Sequence, residues 1–171
     1  MTASPAFHPA APVAGSPARP LDVYLAGVGT VGRALLGQIA DLAPGTLRLV
    51  GACTRSRSGL DLGGLDPAAP ALDPAPPDWP AILNRLAARA AGAPVVFVDA
   101  TGSPEVADLV EPMLAAGVSV VTPSKLANTR SQAAYDRLRQ LSATGAVHYR
   151  YETTAGAGLP LVRLIEDLVA T

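Results

Sequence analysis

The feature that most narrows the folds open to this chain is a cluster of glycines between an apolar run and a helical pattern: Gly27-Val28-Gly29-Thr30-Val31-Gly32. Leu21-Asp-Val-Tyr-Leu-Ala26 precedes it, short and mostly apolar, as in a strand covered on both faces. Behind it Val31, Leu35, Leu36, Ile39 and Leu42 recur at helical spacing, which predicts an amphipathic helix ending at Pro44-Gly45. Leu47-Arg-Leu-Val-Gly-Ala-Cys53 predicts a second strand. Residues 21–53 thus read as one strand–helix–strand unit, the smallest piece of a parallel sheet. In that setting G-x-G-x-x-G has a mechanical meaning. The first glycine allows the tight turn, the second lets a pyrophosphate approach the backbone, and the third lets helix and strand pack closely. The helix N-terminus supplies free N–H groups and partial positive charge to the phosphates. A tight turn with no ligand is the bland alternative; the flanking elements favour dinucleotide binding.

The rest of the chain repeats the alternation. Ser58 to Pro80 is rich in Gly, Pro and Asp and predicts a long surface excursion, with Trp79 pinning its end to the body. Ile82, Leu83, Leu86 and Ala90 predict a helix, and Pro94 to Ala100 a strongly apolar strand. Ser103-Pro104-Glu105 is a helix start of hydroxyl cap, first-turn proline and acid. Pro112 should kink or split that helix, and Gly117 should close it. Val118–Val121 and Ala146–Tyr151 read as strands, and Ser131–Leu141 between them as a helix with Ala134, Leu138 and Leu141 inward. Leu161, Leu164, Ile165 and Leu168 mark a last helix after a glycine-rich turn. The expectation is an α/β, Rossmann-type doubly wound parallel sheet in a single domain, with the first strand–helix turn at its binding crevice. The boundaries expected are a flexible leader over 1–20, an NAD(P)-binding domain over 21–158, and the start of a linker helix over 159–171.

Composition excludes several other classes. At 171 residues, 49% apolar and 16% charged, the chain has room for one domain with a sizeable core. A net charge of −1 gives no reason to expect nucleic acid or an anionic membrane as partner. A single cysteine makes no internal disulfide. No apolar run reaches the roughly 18 residues of a membrane span, and Met1 to Pro20 lacks the basic start and apolar stretch of a signal peptide. A cytoplasmic location is expected. Cys53, in or at the end of the second strand, reads as a small buried side chain rather than a nucleophile. His148 on a strand and His8 in the leader suggest no metal.

The second strand bears on which cofactor is used. NAD-preferring sites usually carry an acid at its end to hold the ribose 2′-hydroxyl. Here Cys53-Thr54-Arg55-Ser56-Arg57 has two arginines and no acid. A guanidinium pairs well with a 2′-phosphate, so NADP is expected, with NAD possible. Arg55, nearer the strand end, is the better candidate; a solvated basic loop is the alternative.

Three further segments carry a family resemblance. Val98-Asp99-Ala100-Thr101-Gly102-Ser103 resembles the turn of homoserine dehydrogenases that closes over the nicotinamide side of the cofactor. Val121-Thr122-Pro123-Ser124-Lys125-Leu126-Ala127-Asn128 resembles their T-P-N-K-x-A-N segment, with Ser124 in place of Asn. Tyr151-Glu152-Thr153-Thr154-Ala155-Gly156-Ala157-Gly158-Leu159-Pro160 resembles their E-x-x-V-G-A-G-L-P segment, with Ala155 in place of Val. In order and spacing the motifs match over about residues 21–171, most closely the dehydrogenase portion of bifunctional aspartokinase–homoserine dehydrogenases.

The resemblance implies NAD(P)-dependent interconversion of L-homoserine and L-aspartate 4-semialdehyde, on the route to threonine and methionine. It places Lys125 at the junction of substrate and cofactor, where a positioned cation assists proton movement at the reacting oxygen. Gly27 to Gly32 would hold the pyrophosphate. Thr101 and Gly102 would touch the cofactor, although Thr101 equally suits a turn cap. Glu152, with the carbonyls of Ala155, Ala157 and Leu159, matches a monovalent-cation (Na+ or K+) site; a structural hinge with Glu152 solvated is the alternative. The family's chain continues into a substrate and dimerisation domain, so homo-oligomers and turnover are expected only with that domain. A non-catalytic NAD(P) sensor is the competing function.

Overall fold

A computed structural model describes residues 19–41 and 45–151. Its strands are β1 (Leu21–Ala26), β2 (Leu47–Cys53), β3 (Ser58–Leu60), β4 (Val95–Asp99), β5 (Ser119–Val121) and β6 (Tyr149–Arg150). They form a six-stranded sheet in the order β3-β2-β1-β4-β5-β6. All pairings are parallel except β2–β3, which is antiparallel. The helices are α1 (Thr30–Asp41), α2 (Trp79–Ala90), α3 (Pro104–Ala107), α4 (Val110–Ala115) and α5 (Gln132–Ala143), and a 3-10 turn spans Leu126–Asn128.

Alternation along the central strands builds two cores. Val23 and Leu25 of β1 face α1, where they meet Leu36 and Ile39 together with Leu49, Val96 and Val98. Tyr24 and Ala26 face the other way, into a larger cluster with Phe97, Val120, Leu86, Met113 and Leu138. Tyr24 stacks on Phe97 with ring centroids 5.7 Å apart, and Trp79 packs edge-on against the same ring at 6.3 Å. Trp79 therefore does pin the end of the long excursion. Asp78 caps α2 by accepting the Ala81 N–H at 3.0 Å, and Ser131 caps α5 through Ala134. The segment after Ser103 is split as expected: α3 ends at Ala107, and Pro112 sits in the first turn of α4, where its missing N–H costs nothing.

Three expectations need correction. The stretch from Ser58 to Pro80 is not loose throughout. Ser58–Leu60 turns back as β3 onto β2, pairing Cys53 with Ser58 and Gly51 with Leu60. Asp73 then bridges to Ser58, and Arg85 donates to the Leu60 carbonyl at 3.2 Å. Val31 does not point into the core; it is 59% exposed, because Gly32 takes the sheet-facing position in that turn of α1. The last strand is shorter than read, Tyr149–Arg150 rather than Ala146–Tyr151. Leu42, most of the leader and the helix marked by Leu161 to Leu168 lie outside the described residues.

Cys53 is buried, and burial pushes its thiol above the ordinary 9.0. The expected result with a thiol reagent at pH 8 is labelling of the folded chain on the order of a hundredfold slower than after denaturation. Labelling at equal rates would show that β2 opens readily.

Candidate nucleotide-binding site

The site is built at the carboxyl ends of β1, β4 and β5, where chain leaves the sheet in three adjacent turns. Parallel strands put their carboxyl ends, and hence their following loops, on the same side. Gly27 follows β1 with φ +99°, a left-handed conformation that favours glycine. Its N–H donates to the Cys53 carbonyl at 2.9 Å, tying the glycine turn to the end of β2. A Cβ at Gly27 would stand 2.8 Å from the Ala100 carbonyl oxygen and 2.8 Å from the Thr101 methyl, so the glycine turn packs directly on the turn after β4. A Cβ at Gly32 would stand 2.0 Å from the Gly27 carbonyl oxygen. A Cβ at Gly29 would meet nothing within 4 Å. The two outer glycines are thus demanded by the chain's own packing, while Gly29 leaves bare backbone facing open space. That cradle fits a pyrophosphate: Thr30, Val31 and Gly32 begin a helix, whose first N–H groups lack an intrahelical acceptor.

Beside this turn the β2–β3 hairpin carries Arg55. The Thr54 N–H donates to the Arg57 carbonyl at 2.8 Å, and the Thr54 hydroxyl accepts the N–H groups of Ser56 and Arg57 at 3.4 and 3.1 Å. Arg57 turns away to the Leu72 carbonyl. Arg55 is exposed at the tip and makes no ion pair among the described residues. The structure thus separates the two arginines: one braces the excursion, the other is available to a ligand.

The turns after β4 and β5 are joined by Asp99, whose motif is plain in the sequence but whose role is not. Asp99 is fully buried. Its Oδ1 accepts the N–H of Thr101 at 2.8 Å and the hydroxyl of Thr101 at 2.7 Å; its Oδ2 accepts the Thr122 hydroxyl at 3.2 Å. Thr101 Oγ1 in turn accepts the Ser103 N–H at 3.1 Å, and Thr122 Oγ1 accepts the Ser124 N–H at 2.9 Å. An Asp two residues before a Thr at the end of an apolar strand is a local signal for such a turn. Gly102 is exposed with open space around it. Lys125 is exposed and opens the 3-10 turn. Asn128 ends that turn and accepts the Tyr149 hydroxyl at 2.7 Å, which fixes it to β6. Glu152, Ala155, Ala157 and Leu159 lie outside the described residues.

A doubly wound sheet with a glycine turn at its first strand–helix junction defines the class of dinucleotide-binding domains. The family model described as the homoserine dehydrogenase NAD-binding domain matches residues 27–152, and the chain belongs to that family. It is 34% identical to the bifunctional aspartokinase/homoserine dehydrogenase of Haemophilus influenzae, over 88% of this chain and 20% of that protein. It is 33% identical to the homoserine dehydrogenase of Paracoccidioides brasiliensis, over 87% of this chain and 44% of that protein. The chain therefore spans less than half the length of these relatives. Among solved structures, a Candida auris protein of unknown function superposes with a TM-score of 0.73 at 28% identity, covering 90% of this chain and 44% of that one. A hyperthermophilic archaeal homoserine dehydrogenase in complex with NADPH shares the fold with a TM-score of 0.67 at 21% identity, covering 88% of this chain and 49% of that one. Among the described residues no helix is long and apolar enough to cross a membrane.

Proposed function

We propose that this chain is the cofactor-binding part of a homoserine dehydrogenase that uses NADP in preference to NAD. The observation that carries the reading is the convergence of the motif-bearing turns, at Gly27–Gly32, Asp99–Gly102 and Thr122–Lys125, on one end of the sheet. Bound there, a nicotinamide supplies the hydride chemistry that interconverts L-homoserine and L-aspartate 4-semialdehyde. The chain's residues would divide the remaining work. Gly27 to Gly32 hold the pyrophosphate, Thr101 and Gly102 border the nicotinamide, and Lys125 brings a cation to the reacting oxygen. Arg55 answers the 2′-phosphate, since the end of β2 offers no acid and the hairpin holds this arginine at its tip. Glu152 with the carbonyls of 155, 157 and 159 as a sodium or potassium site rests on the motif alone. Turnover and homo-oligomer formation require a substrate domain of the kind the longer relatives have room for, and a cytoplasmic setting belongs to the same reading.

The test is calorimetric titration with NADPH and NADH. NADPH is expected to bind well ahead of NADH. Arg55→Ala should weaken NADPH by roughly tenfold, the loss of about one charge-assisted hydrogen bond, and leave NADH unchanged. Failure to bind either nucleotide sinks the reading; equal affinities sink its NADP part.

A further inference from the structure

Resting on that cofactor reading, we propose that Asp99 is a positioning residue for the nicotinamide end of the site: its carboxylate locks the turn bearing Thr101 and the turn bearing Lys125 into one platform. The sequence shows these turns as separate motifs, 23 residues apart at the contact between Asp99 and Thr122. Topology brings them together, because β4 and β5 are neighbours with Val98 opposite Val121. Asp99 and Thr122 are then the first residues past that last pair, 0% and 1% exposed. Their side chains meet beneath the surface of the site rather than on it.

Both carboxylate oxygens are occupied by the protein itself. Oδ1 closes the Thr101 turn through two bonds, and Oδ2 takes the Thr122 hydroxyl. Among the described residues no arginine or lysine pairs with Asp99. A carboxylate so placed is unsuited to bind ligand, yet it determines where its neighbours stand. Thr101 is pressed against Gly27, and the Thr122 hydroxyl holds Ser124, the residue before Lys125. The chain of contacts therefore runs from the glycine turn through Thr101, Asp99 and Thr122 to the segment bearing the lysine. Hydrophobic packing would make turns that cover the sheet; it would not fix their relative height to the few tenths of an ångström that a reacting centre needs.

The adenosine half of the cofactor would be held elsewhere, by the glycine turn and the β2–β3 hairpin. That difference separates positioning from general folding. The experiment titrates NADPH and adenosine 2′,5′-bisphosphate, which lacks the nicotinamide half, into the wild type, Asp99→Asn, Thr122→Val and Thr122→Ser. Thr122→Val keeps the shape and removes the hydroxyl; Thr122→Ser keeps the hydroxyl. The expected result is an NADPH affinity lowered roughly tenfold in Asp99→Asn and Thr122→Val, from buried hydrogen bonds left unmade. Adenosine 2′,5′-bisphosphate should bind both within about twofold of wild type, and Thr122→Ser should bind both ligands normally. If Asp99→Asn does not fold and so loses both ligands, the two Thr122 variants decide. NADPH and the bisphosphate weakening in parallel in Thr122→Val, or full NADPH affinity in it, overturns the proposal. A wild type that binds neither ligand overturns the cofactor reading and the inference with it.

Discussion

Gly32→Ala should both destabilise the fold and abolish nucleotide binding. The new methyl carbon would lie 2.0 Å from the Gly27 carbonyl oxygen, 3.0 Å from its carbon and 3.4 Å from Leu25 Cδ2. Two of those atoms are backbone in a turn already fixed by the Gly27–Cys53 bond, so α1 must lift from β1. Alanine's better helix propensity returns less than about 1 kcal/mol, against an overpacking cost of about 1–3 kcal/mol or more. A net loss of about 2 kcal/mol is expected, or roughly 4–8 °C in Tm for a chain of this size. Gly29→Ala is the companion measurement. Its methyl meets no protein atom within 4 Å, so stability should hold within about 0.5 kcal/mol. NADPH binding should nevertheless fall, because the methyl takes the space through which the pyrophosphate would approach. A Gly29→Ala protein that binds normally would place the phosphates elsewhere; an unshifted melt for Gly32→Ala would refute the packing argument.

The second large effect is expected at the opposite end of β1. Asp22 is fully buried. Its Oδ1 accepts from Arg48 Nε at 2.7 Å, and its Oδ2 from Arg89 Nε at 2.6 Å. One carboxylate thus joins β1, β2 and the last turn of α2. Asp22→Asn removes the charge and leaves two guanidinium groups facing a neutral amide. Breaking one side of a buried pair costs about 3–5 kcal/mol. The arginine side chains are 28% and 32% exposed and can regain water, so a loss of about 2–3 kcal/mol is expected. In urea this should move the unfolding midpoint down by roughly 1 M. NADPH binding by the fraction still folded should be unchanged. A midpoint within error of wild type would show that the ion pairs contribute nothing net.

How far the sequence discloses this fold depends on the range of the interaction concerned. β1 and β2 were legible to the residue because long apolar runs bounded by glycine or proline leave few other readings. The glycine turn was legible because its strand, helix and second strand lie within about thirty residues of one another. β3 was not: Ser58-Gly59-Leu60 has no periodicity, and its pairing depends on a hairpin fastened by a threonine hydroxyl. Asp22 is a charge inside an apolar run, and its role was not read from the sequence, because its partners are 26 and 67 residues away. Asp99 and Thr122 were visible as letters of two motifs. That they touch follows only from the order of strands in the sheet. Val31 matched the helical stripe, yet at the first turn the stripe yields to the glycine that must face the strand.

The short antiparallel strand has an evolutionary consequence. In a sheet where β2 ran directly into a second crossover helix, changing the residue that reads the ribose would disturb the start of that helix. Here the four residues Thr54 to Arg57 form a loop closed on itself by its own threonine, with Arg55 turned outward and Arg57 fastened to Leu72. Such a loop can be exchanged as a cassette. With Arg55 in its proposed role at the 2′-phosphate, lineages, or an engineer, can revise cofactor choice there while the strands on either side keep their register.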